Sequence, residues 1–122
     1  MPTALVIEDD DDIRRLLEVV LQQEGFTVRA AANGADGIAA LEAEPPDLAL
    51  VDVGLPDMEG YEVVRRSRAA TTGRIVMLSA RTQDADIRTG LEAGADAYLT
   101  KPFRPQQLRT DLRRILEGGD PA

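Results

Sequence analysis

The sequence contains neither cysteine nor histidine. Without thiols there are no disulfides and no thiolate metal sites, and without imidazoles zinc hydrolases, Ser-His-Asp triads and phosphohistidine formation on this chain are excluded. No apolar run approaches the roughly 18 residues of a membrane span, and no basic-then-apolar leader opens the chain. Instead Met1-Pro2-Thr3 passes straight into Ala4-Leu5-Val6-Ile7 and then into acidic residues. The expectation is a cytoplasmic protein without a membrane partner. Basic residues are the scarcer charge, 14 against 22 acidic, and the net charge of −8 opposes non-specific binding to nucleic acid or anionic membranes. DNA contact would need another domain.

What remains for chemistry is carboxylates, hydroxyls and one lysine, Lys101. Carboxylates are natural ligands for hard cations such as Mg²⁺. A length of 122 residues with 43% hydrophobic and 30% charged residues describes one globular domain, expected over residues 1–117, with 118–122 as linker or flexible tail.

Five short apolar segments alternate with five helical patterns, the signature of an α/β fold with a parallel sheet. Ala4-Leu5-Val6-Ile7, Leu48-Ala49-Leu50-Val51 and Ile75-Val76-Met77-Leu78 are unbroken apolar runs, as expected of central strands covered on both faces. Phe26-Thr27-Val28-Arg29-Ala30 alternates and Ala97-Tyr98-Leu99-Thr100 is mixed, so both read as edge strands. The pattern suits the strand order 2-1-3-4-5. Ile13, Leu16, Leu17, Val20 and Leu21 form one helical stripe. Asn33 is a candidate N-cap for a second helix carrying Ile38 and Leu41, and Tyr61 with Val64 marks a third. Ile87 and Leu91 mark a fourth helix ended by Gly94, and Leu108, Leu112, Ile115 and Leu116 a fifth beginning near Pro105.

In such sheets the site lies beyond the carboxyl ends of the strands, where the strand order reverses. The first strand ends in Glu8-Asp9, the third in Asp52, the fourth in Ser79, and the fifth leads to Lys101. Taken singly, each has an ordinary structural reading. Asp10, Asp11 and Asp12 suit a helix N-terminus, Ser79 a turn and Lys101 the surface. As a set, crowded carboxylates repel unless a cation or protons neutralise them, and a divalent metal is the simplest solution.

The segments Val6-Ile7-Glu8-Asp9-Asp10, Val51-Asp52-Val53-Gly54-Leu55-Pro56-Asp57, Leu78-Ser79-Ala80 and Lys101-Pro102-Phe103 resemble the motifs of response-regulator receiver domains. The resemblance covers residues 4 to about 117 and is closest to the winged-helix transcription-factor subfamily of bacterial two-component systems. It implies a flavodoxin-like (βα)5 doubly wound sheet. It implies Asp52 as phosphoryl acceptor, Asp9 and Asp52 as direct Mg²⁺ ligands, Glu8 holding the metal through water, and the Gly54 carbonyl completing the set. Ser79 resembles the hydroxyl that bonds the phosphoryl group, Tyr98 the aromatic switch, and Lys101 the cation aimed inward by a cis bond to Pro102. Ala80 leaves room above the acceptor.

The implied donor is a phosphohistidine on a sensor histidine kinase, and the implied output surface is the fourth helix, fifth strand and fifth helix, a possible homodimer face. The chain would catalyse only its own phosphorylation and dephosphorylation. Two positions depart from the subfamily: Ala97 and Gln107 stand where acids are usual, leaving Arg109, Arg113 and Arg114 with fewer expected partners. Three readings compete. One is a receiver controlling a transcriptional effector, and another a stand-alone receiver acting by protein contacts or in a phosphorelay. The third is a Mg²⁺-dependent phosphatase, disfavoured because Gly54 stands where its second acid belongs.

Overall fold

The computed structural model describes residues 2–80 and 83–118. Residues 119–122 of the expected tail lie outside the described residues. Strands β1 (Thr3–Ile7), β2 (Thr27–Ala31), β3 (Leu48–Asp52), β4 (Arg74–Ser79) and β5 (Ala97–Thr100) form one parallel sheet in the order β2-β1-β3-β4-β5. Between and after them run helices α1 (Asp11–Gln23), α2 (Gly34–Ala43), α3 (Gly60–Ser67), α4 (Asp84–Ala93) and α5 (Pro105–Leu116), with a short 3-10 turn at Arg68–Ala70.

The unbroken apolar runs are explained by layers on both faces. Successive strand residues point to opposite sides. Ala4, Val6, Leu48, Leu50, Val76 and Leu78 therefore meet Leu17, Val20 and Leu21 of α1 and Leu108, Leu112 and Ile115 of α5. Leu5, Ile7, Ala49, Val51, Ile75 and Met77 face the other way, against Leu41 of α2 and Val63 and Val64 of α3.

Local signals set the ends of the elements. Asp10 caps α1, its carboxylate accepting from the amides of Asp12 and Ile13 at 2.9 and 3.0 Å. Asn33 caps α2 by accepting from the Asp36 amide at 2.8 Å. Gly94 ends α4 with φ +122°, a left-handed conformation that costs glycine little.

One expectation needs correction, and one helix is oriented by a contact that its spacing does not show. The second strand begins at Thr27, because the Phe26 side chain is buried among α1 and α5 while its amide closes the end of α1 on Leu21. In α4 the apolar marker Leu91 points outward, 45% exposed. The buried position is Gly90, where a Cβ would stand 3.0 Å from the Tyr98 ring, so α4 lies too close to β5 for a larger residue to face inward.

Candidate functional site

The reversal of strand order between β1 and β3 sends the following chains to opposite faces and opens a crevice at the carboxyl edge. The register pairs Ile7 with Val51, so Glu8 and Asp52 stand beside one another. Both side chains are buried, whereas Asp9 is exposed. One oxygen from each of Glu8, Asp9 and Asp52 lies within 4.8 Å of the others.

Lys101 reaches this group from the far side of the sheet. Its amide donates to the Ser79 carbonyl at 2.8 Å, and the peptide bond to Pro102 is cis. Its ammonium then donates to Glu8 Oε1 at 2.7 Å and to Asp52 Oδ1 at 2.8 Å. Burial pushes the Glu8 carboxyl up to about 7 from its usual 4.5, against the opposing hydrogen bond from Lys101. Burial would lower the Lys101 pKa, but the hydrogen bonds and charges of Asp52 and Glu8 outweigh it and hold the ammonium above its ordinary value.

Charge counting tests the fit of a metal. Three carboxylates and one ammonium leave two negative charges in excess, which a proton on Glu8 relieves in part and a divalent cation would neutralise in full. The available donors are carboxylate oxygens, the hard set that suits Mg²⁺. The residues present fit the ion.

Gly54, Ser79 and Ala80 line the same cavity of about 360 Å³ as the three acids and Lys101. Tyr98 and Pro102 do not. They line a separate groove of about 520 Å³ with Phe103, Gln107 and Asp111 on the β5–α5 side. The Tyr98 ring is half-buried against Gly90 of α4. Asp10 serves as a cap and Asp11 pairs with Arg14 at 2.5 Å, in keeping with their structural reading.

Two of the three arginines expected to have fewer partners are engaged within the domain. Arg113 pairs with Glu24 at 2.6 Å and Arg109 donates to Gln23, both beside the end of α1. Ala97 is 6% exposed and packed in the same core cluster as Leu108 and Leu112, so an acid there would be buried rather than presented to a partner. Gln107 donates to Asp111 on its own helix.

Two residues near the site, and one at the opposite edge of the sheet, were not singled out from the sequence. Gly60 starts α3 so close to β3 that a Cβ would stand 2.2 Å from the Asp52 carbonyl oxygen. Asp57 reaches from the loop after β3 to the amides that open α2, at 2.7 and 2.9 Å. Arg68 joins the end of α3 to the Gly94 carbonyl and the Asp96 carboxylate, both at 3.0 Å, just after α4. The glycine and the acids of Pro56-Asp57-Met58-Glu59-Gly60 are visible in the sequence, but their partners lie too far along the chain for any local pattern to supply.

This arrangement of fold and site is shared. Residues 4–113 match the family model of the response regulator receiver domain, and the chain belongs to that family. It is a signalling domain whose homologues are transcriptional regulators. Transcriptional regulatory protein AfsQ1 of Streptomyces coelicolor is 44% identical over 120 residues, an alignment covering 98% of this chain and 53% of AfsQ1. The chain spans about half the length of the curated relatives it matches. Among solved structures, a CheY-like receiver domain protein from Methanospirillum hungatei superposes with a TM-score of 0.89 at 32% identity, covering 97% of this chain and 95% of that one. The BeF3-activated N-terminal receiver domain of Klebsiella pneumoniae RstA gives 0.84 at 30% identity, covering 93% and 97%. Among the described residues no helix is long and apolar enough to cross a membrane.

Proposed function

We propose that this domain accepts a phosphoryl group on Asp52 from the phosphohistidine of a sensor histidine kinase, and that the modification switches the face formed by α4, β5 and α5. The observation that carries this reading is the Lys101 ammonium bridging Asp52 and Glu8 beside a third acid. Asp9, Asp52 and the Gly54 carbonyl would hold Mg²⁺ directly and Glu8 through water. Bound there, the ion would offset negative charge on the equatorial oxygens of the transferring group.

The Asp52 carboxylate supplies the nucleophilic oxygen. An O–P bond forms as the N–P bond to the kinase imidazole breaks, and the imidazole nitrogen leaves with the electron pair. Lys101 exchanges its contact with Asp52 for one with the phosphoryl group. The Ser79 hydroxyl turns to bond another phosphoryl oxygen, Ala80 leaves space for it, and Tyr98 moves inward. The equilibrium between two conformations shifts by the difference in bonding between them. The domain acts only on itself, in the cytoplasm, and reaches DNA through an effector domain outside these residues. Self-association through the switched face would rest on the apolar Ile87 and Leu91, since Arg109 and Arg113 are engaged with α1.

Labelling by acetyl phosphate tests the reading. The parent should take one label per chain only with Mg²⁺ present, Asp52→Asn should take none while keeping its circular dichroism, and Lys101→Ala should bind the ion but lose the switch. Stoichiometric labelling of Asp52→Asn, or none of the parent, would falsify the assignment.

A further inference from the structure

The loop that leaves the acceptor strand is fastened at both ends. At its base the Gly60 amide donates to the Val53 carbonyl at 2.8 Å, and Gly54 and Glu59 form an isolated antiparallel bridge. At its tip Asp57 spans two amides at once: Oδ1 accepts from Gly34 at 2.7 Å and Oδ2 from Ala35 at 2.9 Å. Those amides open α2, where the partial positive charge of the helix favours a carboxylate. Met58 completes the contact, because a Cβ on Gly34 would stand 2.5 Å from Met58 Cγ. Asn33 already caps α2 through the Asp36 amide. The helix has its own cap, and Asp57 adds a tie between the helix and the loop.

We propose that Asp57 is a positioning residue: by clamping the loop to α2 it sets the direction of the Gly54 carbonyl and so the affinity of the acidic pocket for Mg²⁺. The proposal rests on the reading above, in which Gly54 supplies a ligand. Groups that orient metal ligands from behind commonly change affinity by about 10–100-fold when lost. Asp57 acts on one ligand through a backbone segment, so the effect belongs at the lower end of that range, about 10-fold. Asn keeps one acceptor oxygen but turns an N–H₂ toward the second amide, which makes Asp57→Asn an intermediate case.

The test is Mg²⁺ titration followed by amide NMR shifts, on the parent, Asp57→Ala, Asp57→Asn and Asn33→Ala. Amide exchange at residues 54–59 is measured on each without metal. Asn33→Ala weakens the same helix end while leaving the loop tied. Asp57→Ala should bind Mg²⁺ about 10-fold more weakly and exchange faster at residues 54–59, with Asp57→Asn between it and the parent. Asn33→Ala should lose stability but bind Mg²⁺ within about two-fold of the parent. Equal affinity in the parent and Asp57→Ala, or equal weakening in Asn33→Ala, overturns the proposal alone. A parent that binds no Mg²⁺ overturns the metal reading as well.

Discussion

Helices α1 and α4 flank the same site but are held to the sheet in opposite ways. α1 buries Leu17, Val20 and Leu21, carries the Asp10 cap, and is tied to α5 through Glu24 and Arg113. α4 buries only Gly90, its N-cap Gln83 makes no side-chain cap bond, and Leu91 points to solvent. The α1 side is built to stay. α4 is tied instead by hydrogen bonds: the Tyr61 hydroxyl donates to the Asp86 carbonyl in its first turn at 3.3 Å, and past its C-terminal end Arg68 donates to the Gly94 carbonyl and Asp96 accepts from the Ile75 amide. A helix with little buried area, held mainly by a few hydrogen bonds, can be repositioned at small cost, as the proposed switched face requires.

Truncating a leucine in each helix is the most direct way to break this contrast. Leu17→Ala should lower unfolding stability by about 3 kcal/mol, since it opens a cavity in a fully buried site. Leu91→Ala should stay within about 0.5 kcal/mol of the parent. Urea unfolding checks both, and comparable losses would mean that α4 is as deeply anchored as α1.

The caps offer a smaller effect that sharpens the contrast. Asp10→Ala should destabilise the domain by about 1 kcal/mol, because it orphans two helix amides. Gln83→Asp should stabilise it by about 0.5 kcal/mol by supplying the side-chain acceptor that α4 lacks. The added cap should also reduce the shift of α4 amide resonances on phosphorylation. An α4 response as large as the parent's would show that its N-terminal end is not the part that moves.

The smallest effect is a pH dependence on the α1 side. The hydrogen bond from Arg113 holds the Glu24 carboxyl below its ordinary 4.5 in the folded state. A depressed carboxyl stabilises the fold above its unfolded pKa, and that contribution is lost as pH falls through the folded value. The melting temperature of the parent should therefore fall more steeply below about pH 4.5 than that of Glu24→Gln. Parallel curves would show that the pair fastens nothing.

The sequence was most legible where one residue type has one physical use. Unbroken apolar runs meant strands covered on both sides, and the acids after β1 and at the end of β3, with Lys101 after β5, marked the pocket whose geometry the structure shows. It was least legible where a residue serves a partner far along the chain. Asp57 looks like a turn acid until the amides of Gly34 and Ala35 are seen against it, and the alanine at 97 looks like a missing surface charge until its burial is known. Leu91 misleads for a related reason. Helical spacing identifies α4 correctly, but which side faces the sheet is decided by the contact of Gly90 with Tyr98.

The bridge between Lys101 and the two acids has a consequence for the life of the chain before it folds. Lys101 lies 93 residues from Glu8 and 49 from Asp52. During synthesis Asp52 therefore leaves the ribosome well ahead of the cation that completes its pocket, since β5 is the last strand of the sheet in chain order. Until Lys101 is in place, Asp52 is an ordinary aspartate with no ammonium beside it. On the proposed role of Asp52 and Lys101, competence to receive a signal would arrive only with the finished fold, and unfinished or misfolded copies would stay silent without any separate system to inspect them.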